Sequence, residues 1–277
     1  MNRTISGGRI GVALGLGLSC LAMQVSAQGT PGTPTASDGI AKYREMIADG
    51  NPAELYEAEG EELWKKPAGP KNATLEKCDL GLGAGVVKGA AAQLPRYFKD
   101  TNRVQDLESR LMTCMEVLQG INPQEIIDAP FGKGAKKPVE AIVAYVVTNS
   151  RGMKINAPMK HPKEKEMYAL GKHAFYYRGG SMDFSCATCH DDASKRIRLQ
   201  DLPDLTSQKG AALGWGFWPA YRVSSGEFWT MQRRLNDCYR QQRFPYPNYT
   251  SDVTIALSAY LAGNAKGGVV NTPGLKR

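Results

Sequence analysis

An internal repeat sets the strongest limit on the folds open to this chain. The pattern Pro-x-Tyr followed by Arg-Leu-x-x-Cys occurs twice, from Pro95 to Cys114 and from Pro219 to Cys238, and in both copies the cysteine stands 19 positions after the proline. Another proline lies nine residues beyond each cysteine, and each copy ends in Ala-Tyr-x-x-x-Asn-x-x-Gly. Matches in the same order predict two copies of one domain of about 110 residues.

Periodicity indicates that both copies are helical. Apolar residues recur at spacings of three and four in LESRLMTCMEVLQ and in FWTMQRRLNDCY, and strand-like alternation is scarce. Each copy also opens with a helical Ala-x-Gly stretch, at Gly60 and at Gly171. A Pro- and Lys-rich segment, residues 153–166, separates the copies. We therefore predict a mostly α fold with two tandem domains, residues 40–155 and 156–277.

The N-terminal residues have the pattern of an export signal. Arg3 and Arg9 precede an apolar run from Ile10 to Met23, and the small-residue sequence Val-Ser-Ala27 follows. We expect residues 1–27 to be a signal peptide cleaved after Ala27, residues 28–39 to be a flexible N-terminus, and the mature protein to be periplasmic. The apolar run is too short to span a membrane. A lipid anchor on Cys20 fits less well, because the residues before it match a lipidation box poorly.

Composition excludes some partners. The 277 residues are 42% hydrophobic and 22% charged, which is typical of a soluble globular protein of about two domains. The formal net charge of +8 favours anionic partners only weakly. No arginine-rich helix interleaved with aromatic residues is present, so we predict no nucleic-acid binding.

The chemistry of the chain is indicated by Cys186-Ala-Thr-Cys189-His190, a C-x-x-C-H motif. This spacing is the attachment signature of c-type haem, with two thiols for the vinyl groups and an imidazole as the proximal iron ligand. A thioredoxin-like redox pair would need a βαβ context, and a zinc site would need a second Cys/His pair. Neither is found, so we predict one covalently bound haem c.

The motif also indicates the domain type. A small helical domain with one helix before a haem motif and another near its C-terminus resembles a class I cytochrome c. In the first copy the matching region is Leu75-Glu-Lys-Cys78-Asp, which has one cysteine and no histidine nearby. We therefore expect the first domain to lack haem.

The remaining cysteines suggest a disulfide. Of the six cysteines, Cys20 lies in the signal peptide and two belong to the haem motif, which leaves Cys78, Cys114 and Cys238. Exported proteins normally pair their cysteines. Cys78 and Cys114 occupy the two positions of their copy that flank the haem in the other, so we predict that they form a disulfide. Closing a loop of about 37 residues would stabilise the fold by about 3 to 4 kcal/mol.

Cys238 is then left unpaired, on the side that would face the iron. Taken alone it could be an inert buried cysteine on a helix. Arg234, however, precedes it by four residues, one helical turn away on the same face, where a guanidinium favours the thiolate and can hold an anion.

The distal iron ligand has more than one candidate. Class I cytochromes use a downstream methionine, and Met231 is a competitor. We prefer Cys238, because a thiolate is a strong iron ligand and its helix is repeated in the first copy. His161 and His173 precede the motif and are expected to be surface or core residues rather than ligands.

Three segments together carry a family resemblance: CATCHDD, Trp218-Pro219-x-Tyr221-Arg222 and Arg234-Leu235-Asn236-Asp237-Cys238. In an exported, duplicated cytochrome with a disulfide in its first half, they resemble the SoxA family, the catalytic subunits of thiosulfate-oxidising SoxAX cytochromes. The resemblance covers nearly the whole mature chain. Some members carry haem in both halves; this chain departs from them at Cys78 and resembles the single-haem type.

The resemblance implies a mechanism and partners. Cys238 would be the active-site cysteine, carried as a persulfide that ligates the haem iron, with Arg234 binding the substrate anion and His190 as proximal ligand. The implied L-cysteine S-thiosulfotransferase reaction joins thiosulfate to a cysteine of the carrier protein SoxYZ. It releases two electrons through the haem of SoxX, the partner in a heterodimer, and a downstream cytochrome c.

Three other functions are compatible with the residues. The chain could be a plain electron carrier in which Cys238 is an inert ligand, or a haem-bearing scaffold whose first domain only docks partners. A two-haem, peroxidase-like cytochrome fits poorly, because the sequence holds a single C-x-x-C-H motif.

Overall fold

The computed structural model describes residues 50–197 and 200–276, together with Lys42 and Glu45. The predicted signal peptide, residues 1–27, and the predicted flexible segment, residues 28–39, lie outside the described residues. Within the described part the chain is mostly helical, as the periodicity predicts. No helix in this part combines the length and the apolar character that a membrane span requires.

The regular elements of the first half begin with helix α1 and end with helix α4. In chain order they are α1 (Ala53–Lys65), β1 (Arg96–Phe98), β2 (Arg103–Gln105), α2 (Leu107–Cys114), α3 (Pro123–Asp128) and α4 (Lys136–Thr148). A 3-10 turn at Ala91–Gln93 precedes β1, and a π-helical turn, Met115–Gln119, extends α2.

The second half contains counterparts of α1, β1, β2, α2 and α4, together with two further helices and three further strands. They are α5 (Pro162–Tyr176), α6 (Cys186–His190), β3 (Arg196–Ile197), β4 (Gln200–Asp201), α7 (Gln208–Trp215), β5 (Ala220–Arg222), β6 (Glu227–Trp229), α8 (Met231–Gln241), α9 (Asp252–Asn264) and β7 (Gly274–Lys276). The hairpins are only two or three residues per strand, too short to produce the alternation by which strands are recognised in a sequence.

The same helix crossing occurs in both halves, and a glycine makes each one possible. A Cβ atom on Gly60 of α1 would lie 2.0 Å from the carbonyl oxygen of Ala141 in α4, and one on Gly171 of α5 would lie 1.9 Å from that of Ala256 in α9. Both distances are far below van der Waals contact, so only glycine allows the backbones to approach this closely. The repeated Ala-x-Gly stretch thus encodes a repeated packing contact.

The hairpins and the helices that follow them also correspond. Tyr97 pairs with Val104 between β1 and β2, and Tyr221 pairs with Phe228 between β5 and β6. Both β2 and β6 lead directly into an N-capped helix. Asp106 accepts a hydrogen bond from the backbone N–H of Ser109 at the start of α2, and Thr230 accepts one from Arg233 at the start of α8. The segment that carries Cys114 and the segment that carries Cys238 are therefore built alike.

The predicted disulfide is confirmed. The sulfur atoms of Cys78 and Cys114 lie 2.04 Å apart, and both residues are buried in the core of the first half. Trp64, Leu75 and Leu111 belong to the same core. The bridge connects the loop after α1 to the end of α2, so it crosslinks two segments that pack in the same core.

Candidate functional site

The C-x-x-C-H motif forms the short helix α6, and local hydrogen bonds hold it at both ends. Ser185 caps the N-terminus: its hydroxyl accepts from the Thr188 backbone N–H, and the Thr188 hydroxyl accepts from the Ser185 N–H at 2.9 Å. At the other end the Lys195 ammonium donates to the carbonyls of Ala187 and Thr188 at 3.2 and 2.9 Å and also contacts Asp191. These contacts stabilise a helix of five residues that would be marginal alone.

The His190 ring is oriented by a single backbone hydrogen bond. Its Nδ1 lies 2.9 Å from the carbonyl oxygen of Pro203, and because a carbonyl can only accept, Nδ1 carries the proton. Nε2 is then the nitrogen with a free lone pair. Burial lowers the pKa of His190, and the positive charges of Arg234 and Lys195 lower it further, so the neutral, metal-binding form is favoured.

Three thiols come together at α6. Cys186, Cys189 and Cys238 are all free and half-buried. Burial raises the pKa of the Cys186 thiol to about 12, and the neighbouring Cys238 adds to that rise. Burial followed by Cys238 also raises the pKa of Cys189. The structure therefore places Cys238, from a helix about 50 residues downstream, within electrostatic reach of both motif cysteines.

Arg234 lies on the same helix as Cys238, and its guanidinium has defined contacts. It donates to the Asp237 carboxylate at 3.1 Å and lies over the Trp218 ring, 5.5 Å from the centroid. Its side chain is 22% exposed. Its positive charge also lowers the pKa of His190, so Arg234 lies within electrostatic reach of the motif.

The other ligand candidates have different surroundings. Met231 is the first residue of α8 and packs against the apolar cluster beside the motif. It precedes Cys238 by seven residues, a distance of about 10 Å along a helix. His161 caps α5 and stacks on Tyr97 with ring centroids 3.7 Å apart, and His173 is an exposed residue of α5. Both histidines have the structural or surface roles that the sequence predicts.

Sequence reasoning missed several residues of the site. Asp237 accepts from Arg234, from Arg240 at 2.6 Å and from Gln241 at 2.8 Å, so it organises the polar face of α8. In the sequence, its position three residues after Arg234 could have indicated an ion pair between the two side chains. The carbonyl of Pro203 and the lysine cap from Lys195 depend on how the chain folds back, and no spacing in the sequence indicates them.

The residues around the motif fit a haem c group. Apolar side chains from α5, α8 and α9 pack against Cys186 and Ala187; the buried ones are Phe175, Leu235, Leu257, Tyr260 and Leu261. An apolar wall suits the macrocycle of a haem, while two adjacent thiols and an imidazole with a free Nε2 suit its covalent attachment and its iron. In the first half the equivalent positions are closed: Leu75 is fully buried and Cys78 is in the disulfide.

Comparisons with known proteins agree with this chemistry. Residues 59–155 match the family described as SoxA/TsdA, cytochrome c domain. The chain is 65% identical over 238 residues to the L-cysteine S-thiosulfotransferase subunit SoxA of Hydrogenophilus thermoluteolus, covering 86% of this chain and 87% of the relative. It is 40% identical over 227 residues to a SoxA subunit of Hydrogenobacter thermophilus, covering 82% of each.

A solved structure has the same fold. The crystal structure of SoxXA from P. pantotrophus aligns with a TM-score of 0.71, at 22% identity, and covers 85% of this chain and 84% of that one. The arrangement of the described helices and strands therefore has a known counterpart in that crystal structure.

Proposed function

The chain belongs to the SoxA family of L-cysteine S-thiosulfotransferase subunits, and we propose that Cys238 is its catalytic residue, next to one haem c held by Cys186, Cys189 and His190. The observation that carries this proposal is that Cys238 of α8 lies within electrostatic reach of both motif cysteines, all three of them free thiols. His190 and Cys238 would then be the residues that hold the haem iron.

Only the second half would bind haem. Residues 59–155 match a cytochrome c domain family although they contain no C-x-x-C-H motif, and both halves share the glycine-dependent helix crossing. This supports two tandem class I cytochrome c-like domains, the first without haem. In this proposal the Cys78–Cys114 disulfide and the buried Leu75 take the place of a cofactor there, which supports the single-haem type.

The proposed substrate is thiosulfate, and Arg234 would bind it. Thiosulfate is a dianion, and a planar guanidinium offers two parallel N–H donors to its oxygens. Asp237 holds the guanidinium on the face of α8 that also carries Cys238. The anion is thereby brought next to the sulfur of Cys238, and the positive charge offsets the approach of two negatively charged sulfur groups.

The reaction joins thiosulfate to a cysteine of the SoxYZ carrier protein. One sulfur–sulfur bond forms between the carrier thiol and the terminal sulfur of thiosulfate, and one proton and two electrons are released. A haem at α6 supplies a one-electron acceptor beside the reacting sulfur. Cys238, carried as a persulfide, holds the terminal sulfur of thiosulfate in place. A SoxX subunit and a downstream cytochrome c take the electrons away. These steps take place in the periplasm after removal of residues 1–27.

The mass of the peptides of the purified protein tests this function. We expect the peptide with Cys186 and Cys189 to carry one haem and the peptide with Cys238 to carry one additional sulfur atom. An unmodified Cys238, in a protein that transfers electrons but does not couple thiosulfate to the carrier, would identify a plain electron-transfer cytochrome and overturn the proposal.

A further inference from the structure

We propose that the first half has a function in catalysis: Glu108 and Asp106 are positioning residues that fix helix α8, which carries Arg234 and Cys238. This inference rests on the proposed function, because it concerns the placement of the two residues assigned there to substrate and iron. It gives a role to a domain that would bind no haem itself.

The contact between the halves is made at the first turn of α8. The backbone N–H of Gln232 donates to Glu108 Oε2 at 3.1 Å, and its side-chain amide donates to Asp106 Oδ2 at 2.6 Å. The first N–H groups of a helix have no partner within the helix, so an acceptor from elsewhere is needed. The first half thereby supplies the cap that α8 cannot complete alone.

A second set of hydrogen bonds holds the two carboxyl groups and the glutamine in place. The Tyr249 hydroxyl donates to Glu108 Oε1 at 3.0 Å, and the backbone N–H of Thr250 donates to Gln232 Oε1 at 3.2 Å. Asp106 Oδ1 accepts from the backbone N–H of Ser109 at 2.9 Å. The network therefore ties α8, the segment after it and the start of α2 to one another.

The network is buried, which makes it rigid. Asp106, Glu108 and Gln232 are 5%, 3% and 1% exposed. Hydrogen bonds are stronger in a low dielectric, and breaking one there leaves an unsatisfied polar group. Burial and the neighbouring Asp106 raise the pKa of Glu108 to about 8, which shows that keeping these two carboxyl groups together costs free energy. An apolar contact would join the halves at lower cost but would not fix a helix terminus.

The residue after Gln232 also contacts the first half. The Arg233 guanidinium lies over the Phe131 ring at 5.9 Å and over the Trp229 ring at 4.6 Å. A Cβ atom on Gly132 would lie 3.2 Å from its Nη1, so this loop of the first half closes against the arginine. Two successive residues of α8 are thus held from the first half, and the helix has little freedom to rotate.

The anchored turn is close to the reacting groups. Gln232 precedes Arg234 by two residues and Cys238 by six, which is about 3 Å and about 9 Å along a helix. A rigid helix transmits a shift of its first turn to both side chains. Since misplacement by about 1 Å can cost about 100-fold in rate, loss of the anchor is expected to impair turnover without touching the site.

Amide hydrogen exchange of the holoprotein tests the proposal with Glu108→Leu. We expect exchange within residues 231–241 to become at least tenfold faster, while exchange in α4 and α9 stays the same. The electron paramagnetic resonance spectrum of the ferric haem should become heterogeneous, because the distal ligand is no longer held in one geometry. The isosteric Glu108→Gln, which can still accept from the N–H of Gln232, should restore both properties to near wild type.

Arg103→Ala is the matched control. Arg103 also bridges the halves, through an exposed ion pair of 2.6 Å with Asp252, and this partner belongs to α9 rather than to α8. It should leave exchange in α8 and the resonance spectrum unchanged. Unchanged exchange in Glu108→Leu, or faster exchange in all helices alike, would overturn the proposal. If Glu108→Leu does not fold, Gln232→Ala, which removes the amide that Asp106 accepts from, is expected to give the same result.

The exchange measurement needs no thiosulfate, so its outcome is separate from that of the proposed function. If Cys238 is unmodified and the protein does not turn over thiosulfate, the proposed function is refuted. The exchange measurement then still decides whether the first half anchors α8. Conversely, wild-type exchange in Glu108→Leu would refute the anchor while Cys238 stays catalytic.

Discussion

Removing the disulfide of the first half is a quantitative test of how that half is stabilised. Cys78 and Cys114 are 36 residues apart and both buried, and the bridge closes a loop that includes the β1–β2 hairpin and all of α2. In the loop-entropy model a closure of this length lowers the entropy of the unfolded chain by about 13 cal/mol/K, or about 4 kcal/mol at 25 °C. Single domains are stable by only about 5–15 kcal/mol, so the effect is large.

The variant to measure is Cys78→Ala/Cys114→Ala, by equilibrium unfolding in guanidinium chloride with circular dichroism. We expect the free energy of unfolding to fall by at least about 4 kcal/mol, because loss of the two buried sulfur atoms adds to the loop-entropy effect. The covalent haem content and the turnover with thiosulfate, measured well below the unfolding midpoint, should be unchanged, because the haem motif lies in the other half. A loss below about 1 kcal/mol would refute the reasoning that the bridge replaces a cofactor as the main stabiliser of this half.

Arg234→Lys should lower kcat/KM for thiosulfate about tenfold or more through loss of two-donor binding, whereas Arg240→Lys, which alters the exposed partner of the same carboxylate, should leave it unchanged. Gly171→Ala and Gly60→Ala should each lower the free energy of unfolding by about 1–3 kcal/mol, since each methyl meets a carbonyl oxygen within 2.0 Å; wild-type stability would contradict the crossing. Because the pKa of Glu108 is raised from 4.5 to about 8, the folded protein keeps a proton that the unfolded chain releases, so stability should fall as pH rises from about 5 to 8. This slope should flatten in Glu108→Gln, and an unchanged slope would show that Glu108 is not its source.

The sequence predicted the features that depend on spacing along the chain. The repeat and the mostly helical fold follow from periodicity, and the disulfide follows from the number of cysteines and their places in the repeat. Each of these is a local pattern or a comparison of two local patterns, which explains why they could be found without coordinates. The role of Cys238 in catalysis stays a prediction.

Features that depend on tertiary contacts could not be predicted in this way. Gln232 and Glu108 are 124 residues apart, and nothing in either segment indicates that the N-terminus of α8 is capped from the first half. The carbonyl of Pro203, which orients His190, is a backbone group that any residue could supply. The sequence shows Asp237 as a charged residue near Arg234. It does not indicate that Arg234, Arg240 and Gln241 all donate to the Asp237 carboxylate.

The central claim is that Cys238 is both the distal ligand and the catalytic residue, and Cys238→Ala tests it most directly. The matched control is Met231→Leu, which removes the competing distal ligand from the first turn of the same helix. We predict that Cys238→Ala keeps its covalent haem, loses the optical signature of a thiolate ligand and no longer releases electrons from thiosulfate, while Met231→Leu retains all three properties. Turnover retained in Cys238→Ala, or a methionine-to-iron charge-transfer band that disappears in Met231→Leu, would contradict the claim.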